Sequence, residues 1–191
     1  MSVGTHRKHE GFCINVGTRE VAYGAVMAAL IYVGTSIAIP MPRPLGIWHF
    51  GDIITFIVCI LFGPVVGGLS SAIGATLFDL WNPLYGSQYI YYAPATLVIR
   101  GCMGVLLGST RAMVKKNPRL WEVVVMAVAV TEKNLGYFAY DLGLFGLGAA
   151  LFDLTFFPMD AIFIIVTLPI LAALRNRLGR TYIIPPKSPE A

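Results

Sequence analysis

Arg100, Glu132 and Lys133 lie near the middle of long apolar runs, where an uncompensated charge is costly and marks either an ion pair or a polar cavity. Asn134, Tyr137, Tyr140 and Asp141 follow in the same run as Lys133. Lys133, Tyr137 and either Tyr140 or Asp141 recur at i, i+4 and i+7 or i+8, which puts a cation, a phenol and a second phenol or a carboxylate on one helix face. Two readings fit Arg100 and Glu132: a salt bridge between neighbouring helices, or contacts to a bound molecule. For Asn134, Tyr137 and Asp141, the amide, phenol and carboxylate suit a polar heteroaromatic ligand.

A second group of polar and aromatic residues sits at the ends of apolar runs: Trp48, His49, Asp52, Asp79, Trp81, Asn82, Asp153 and Asp160, with Tyr89, Tyr91 and Tyr92 nearby. His49 with several aspartates has the donors for a metal, but the spacing matches no ligand motif. The tyrosines also fit an interfacial aromatic belt. No G-x-S-x-G, H-E-x-x-H, P-loop or Cys/His nucleophile arrangement is present, so neither catalysis nor ATP hydrolysis is expected, and no cofactor or metal. Cys13, Cys59 and Cys102 lack metal-binding spacing and read as reduced and structural. Depth and polarity together nominate Trp48, His49, Asp79, Tyr92, Arg100, Lys133, Asn134, Tyr137, Asp141 and Asp160 as contacts for a small molecule.

The elements that must position these residues are membrane helices. Hydrophobic residues make up 57% of the 191-residue chain and charged residues 13%, with a mean hydropathy of +0.72. Since a crossing takes about 20 apolar residues, the chain has room for six spans and no soluble domain. Apolar runs and breakers put them near 20–39, 49–62, 65–81, 90–109, 120–142 and 157–175. The stretch 143–156 is apolar enough to be re-entrant or interfacial. The fold expected is an all-α membrane protein: a six-helix bundle over residues 20–175 between cytoplasmic tails at 1–19 and 176–191. The N-terminal tail has no apolar stretch before residue 21, so the first span is expected to be the insertion signal. The net charge of +4 reports topology here rather than nucleic-acid binding.

Within HFGDIITFIVCILFGPVVGGLSSAIGATLFDL, residues 49–80, Phe62-Gly63-Pro64 predicts a tight turn between two helices. Asp52 and Asp79 are thereby expected at the same outer surface. Gly63, Gly67, Ser71, Ala75 and Asp79 recur every four residues, a small-residue stripe that admits a close helix neighbour. The first span carries two overlapping small pairs, Gly24/Ala28 and Ala25/Ala29, suited to packing within the chain or against a partner.

That hairpin, together with YAPATLVIRGCMGVLLG and NLGYFAYD in the same order, resembles the S components of energy-coupling factor (ECF) vitamin transporters, nearest the riboflavin-type group. The resemblance covers nearly all of residues 20–175. It implies a multi-pass cell-membrane protein that binds a vitamin, riboflavin or a related micronutrient, in its outer half under a lid formed by the loop after the first span. It also implies partners: a transmembrane coupling subunit and two cytoplasmic ATPases. The family's Ala-x-x-x-Ala docking motif falls on Ala25 and Ala29, with Gly24 and Ala28 as a competing register. Two other classes remain open from the residues alone. One is an autonomous secondary carrier using Arg100, Glu132 and Lys133 as an ion or proton relay; the other is a membrane-embedded enzyme using His49 and the outer aspartates.

Eleven Lys and Arg residues fall in the N-terminal tail, the loop after the fourth span and the C-terminal tail, whereas the opposite loops carry only Arg43. The positive-inside rule therefore puts both tails and the Lys115/Lys116 loop in the cytoplasm and the loop from Pro40 to Trp48 outside. Single cysteines introduced into a variant lacking the native three should be labelled by an impermeant thiol reagent in intact cells only in that outer loop. Rapid labelling at 113–118 would overturn the orientation.

Overall fold

The computed structural model describes residues 17–40, 47–113 and 118–178. Cys13 and most of the N-terminal tail, residues 41–46 of the proline-rich loop, the Lys115/Lys116 loop and the tail beyond 178 lie outside the described residues. The elements are α1 (Thr18–Ser36), β1 (Ala38–Pro40), β2 (Ile47–His49), α2 (Gly51–Phe62), α3 (Pro64–Leu80), α4 (Ala93–Met113), α5 (Pro118–Leu144), α6 (Leu147–Asp153) and α7 (Phe157–Leu178). Single 3-10 turns at Ile90–Tyr92 and Leu154–Phe156 lead into α4 and α7. The long helices fall on the apolar runs read from the sequence, with ends displaced by a few residues. The short α6 and the turn after it occupy the apolar stretch between the last two runs.

After α1 come two short strands, β1 and β2, separated by residues outside the described set. They form an antiparallel pair, with Ala38 opposite His49, Ile39 opposite Trp48 and Pro40 opposite Ile47. Ile39, Ile47 and Trp48 are β-branched or aromatic, types that fit a pleated surface. The outer end is tied down further by Asn82, whose Nδ2 donates to Ser36 Oγ at 2.6 Å, and by Tyr85, whose hydroxyl donates to the Ala38 carbonyl at 2.9 Å.

Between α2 and α3 the turn forms as the sequence indicates: Gly63 has φ of 89°, a backbone region that glycine enters without strain, and Pro64 opens α3. The small-residue stripe of α3 is buried and lets neighbouring backbones approach. A Cβ on Gly67 would meet Cys59 Cα at 2.7 Å, one on Gly74 would meet the Ala28 carbonyl at 2.5 Å, and one on Gly104 would meet the Gly67 carbonyl at 2.6 Å. Thus α3 lies against α1, α2 and α4 with almost no side chain between them.

The distribution of polarity is inside-out. Val26, Leu30 and Val33 of α1, Ile73 and Leu77 of α3, Val98 and Val105 of α4, Val128 and Leu135 of α5, and Ile162 and Ile165 of α7 are exposed. Meanwhile Asp52, Arg100, Lys133 and Asp160 are buried. Apolar outer surface on every long helix, around a charged interior, suits hydrocarbon as the solvent. Among the described residues, 90–110 and 147–177 are long and apolar enough to cross a bilayer on their own measure. The helices α2 and α3 are apolar but shorter, and α1 and α5 have the length with more polar residues. Beneath the charges lies an apolar core of Phe56, Cys59, Met103, Leu107, Met126 and Leu171. Cys59 and Cys102 are free thiols.

Candidate functional site

Four helices each deliver one charge to the same interior point. Asp52 comes from the first turn of α2, Arg100 from α4, Lys133 from α5 and Asp160 from the first turn of α7. Lys133 Nζ lies 2.8 Å from Asp52 Oδ2 and 2.7 Å from Asp160 Oδ1. Arg100 pairs with the other oxygen of Asp52. Asn134 Nδ2 donates to Asp160 Oδ2 at 2.8 Å, so both oxygens of that acid are used. All four charged residues are 5% exposed or less, so the set is two cations and two acids compensating one another away from solvent.

His49, at the end of β2, joins this network from the hairpin: its Nε2 is 2.9 Å from Arg100 Nη2. Burial lowers the imidazole pKa to about 3, with Arg100 and Lys133 acting in the same direction against Asp52. The ring is therefore neutral at physiological pH, and Nε2 accepts from the guanidinium.

Above the network is a cavity of about 90 Å³. His49, Arg100, Lys133, Asn134 and Asp153 supply its polar wall, and Ile47, Tyr89, Tyr92, Tyr137 and Phe156 the apolar and aromatic one. Tyr137 shares a hydrogen bond of 3.0 Å with Thr96, and Tyr92 donates to Asp141 Oδ2 at 3.0 Å, which fixes both rings. Their centroids are 6.3 Å apart in an edge-to-face arrangement. Arg100 Nε has no hydrogen-bond partner, and Lys133 has two of its three N–H groups engaged, so donor capacity is left over at the cavity.

The structure brings His49, Tyr92, Arg100, Lys133, Asn134 and Tyr137 into one wall. Asp160 stands behind it, holding Lys133 and Asn134. Trp48, Asp79 and Asp141 are not in the wall: Trp48 is half-buried with its ring edge-on to Phe156 at 6.2 Å, and Asp141 is buried behind Tyr92. Asp79, expected with Asp52 at an outer surface, is instead only 7% exposed and lies against Thr96. Asp52 is likewise buried, at 2%, because the start of α2 is packed among α1, α4 and α7 and the carboxylate is enclosed by Arg100 and Lys133. The suggested Arg100–Glu132 bridge does not form; Arg100 takes Asp52 instead. Glu132 precedes Lys133 by one residue, so its side chain leaves the helix about 100° away, and its Oε2 has no partner. Asp52, Tyr89, Asp153 and Phe156 were missed as site residues. Asp52 carried a signal, three residues from His49 at the start of an apolar run, but its enclosure by Arg100 and Lys133 from other helices was not legible there.

On the opposite side of the helix layer, Gly24, Ala25, Ala28 and Ala29 line a groove of about 610 Å³ between α1 and α3, with Leu69, Ile73, Leu77 and Trp81. Ala28 is buried against α3 beside Gly74, whereas Ala25 and Ala29 are exposed and Gly24 has open space before it. The two registers are thus split: Ala28 packs within the chain and the Ala25/Ala29 pair faces outward.

A family model for the ECF-type riboflavin transporter S component matches residues 15–176. The chain belongs to that family. A Pyrococcus woesei protein described as an uncharacterized protein in a gap 3′ region is 34% identical over 114 residues, spanning 60% of this chain and 72% of its own length. The S component is a membrane protein and the substrate-binding subunit of an ECF-type transporter, and its family is one of transporters rather than enzymes.

Charge balance in the network makes a specific prediction. Asp52→Asn leaves two buried cations against one acid and should cost about 3 kcal/mol or more, seen as a large fall in Tm in detergent. Adding Lys133→Met, which removes one cation, should recover part of the loss. A double variant less stable than Asp52→Asn alone would contradict the charge-balance account.

Proposed function

We propose that this S component captures riboflavin, or a micronutrient with a closely similar ring, in the cavity above the Asp52, Arg100, Lys133 and Asp160 network. The observation that carries the reading is the pairing of aromatic walls with cationic donors: Tyr89, Tyr92, Tyr137 and Phe156 line the same cavity as Arg100 and Lys133, each of which keeps an N–H group that the ion network does not use. Rings of that kind accept a flat heteroaromatic molecule, and the donors meet its carbonyl oxygens or ring nitrogens. The family's riboflavin description supports the same choice.

The cavity's 90 Å³ is well below the roughly 300–1,000 Å³ of pockets that hold drug-sized ligands, so loading requires the covering hairpin to move. His49 would release Arg100 in that movement, while every ion pair among the helices stays intact. Six helices (α1 to α5 and α7) then form a bundle over residues 20–175 with both tails cytoplasmic, and the membrane spans keep the cavity toward the outside. Inward delivery uses a separate transmembrane coupling subunit and two cytoplasmic ATPases, with Ala25 and Ala29 as the docking surface.

Two measurements test this. Asn134→Leu and Tyr137→Ala should each weaken riboflavin binding at least about tenfold in isothermal titration on ligand-stripped protein, as expected when a buried hydrogen bond or packed ring is lost. Wild-type affinity in both would move the site elsewhere. Ala29→Trp should leave riboflavin binding intact but stop cellular uptake, because a close-approach surface tolerates no added volume. Parallel loss of binding and uptake would assign the pair to the chain's own packing.

A further inference from the structure

Asp153 is the acid in the cavity wall, and the chain leaves it short of a donor. The residue is 6% exposed, and its Oδ2 has no hydrogen-bond partner. No ion pair among the described residues reaches it. Its polar neighbour is Asp141, which is itself 1% exposed with Oδ1 unpartnered, the other oxygen taking the Tyr92 hydroxyl. Ionised carboxylates only accept hydrogen bonds, so neither acid can satisfy the other unless they share a proton. A buried acceptor without a donor is costly, and here the residue that carries it lines the small cavity above the ion network.

The remaining polar wall has the opposite character. Arg100 and Lys133 carry N–H groups that the ion network does not use, whereas Asp153 brings an acceptor from α6. A molecule that fills it must match both edges.

We propose that Asp153 is a ligand-binding residue that accepts a hydrogen bond from an N–H or O–H of the bound molecule, and so selects molecules that present a donor toward α6. The inference rests on the reading of this cavity as a flavin site. Riboflavin offers two such donors, the imide N–H of its ring and the hydroxyls of its ribityl chain, and a ring with neither is disfavoured.

Titrations of riboflavin and of lumiflavin, the same ring without the ribityl chain, into ligand-stripped wild type and variants decide the matter. Asp153→Ala and the similarly sized Asp153→Leu both remove the acceptor, so one well-folded variant of the two suffices. Either should bind riboflavin at least about tenfold more weakly than wild type, while Asp153→Asn, which keeps an acceptor oxygen, loses less. Equal losses for both molecules identify the ring N–H as donor; a loss for riboflavin alone identifies the ribityl chain. Unchanged affinity for both, or a loss that tracks a lower Tm of the ligand-free protein, overturns the role of Asp153. Wild-type protein that binds neither flavin overturns the flavin reading itself and this inference with it, a result distinct from one in which only the variants are silent.

Discussion

Two cations and two acids buried at one point in a low-dielectric interior must be kept together, because losing any one of them strands a charge at a cost of several kcal/mol. The four come from α2, α4, α5 and α7, so the pairing holds four helices at fixed relative positions. It also orients side chains that line the cavity: Lys133 and Asn134 are held by Asp160, and Arg100 by Asp52. Among the described residues, His49 joins the hairpin to this set, as a neutral ring. A hydrogen bond to a neutral ring is weaker than the ion pairs that join the helices.

The glycine contacts serve a second requirement. With lipid as solvent there is little hydrophobic gain from packing one helix on another, and close backbone approach supplies dispersion contact instead. At Gly67, Gly74 and Gly104 the approach leaves no room for a Cβ, which makes α1 to α4 a tight unit. One side of that unit carries the outward Ala25/Ala29 groove, and its interior contributes Asp52 and Arg100 to the site. A substrate-binding subunit of a transporter needs such a division between a cavity that admits cargo and a face that keeps its shape.

Much of the fold was legible because membrane helices have strong signals in sequence. The apolar runs, the Gly63-Pro64 break and the four-residue repeat of α3 each have one simple physical cause. The site was legible where a costly polar residue sat deep in a run, as with Arg100, Lys133, Asn134 and Tyr137. It was illegible where burial depends on a distant segment. Asp52 and Asp79 look like helix-end acids until Arg100 and Lys133 enclose the one and Thr96 meets the other, and Asp153 belongs to a short helix whose position no local pattern encodes. Arg100 shows the same limit for pairing: depth gave its need for an acid, but only the packing of α2 against α4 decides between Asp52 and Glu132.

The most direct test is the identity of the molecule carried by the protein itself. Protein purified in mild detergent from cells grown with riboflavin, then denatured and its supernatant analysed by absorbance and mass spectrometry, should be yellow and release riboflavin at about one molecule per chain. Release of a non-aromatic molecule in the same proportion, or a protein that neither carries nor takes up added riboflavin, would contradict the account.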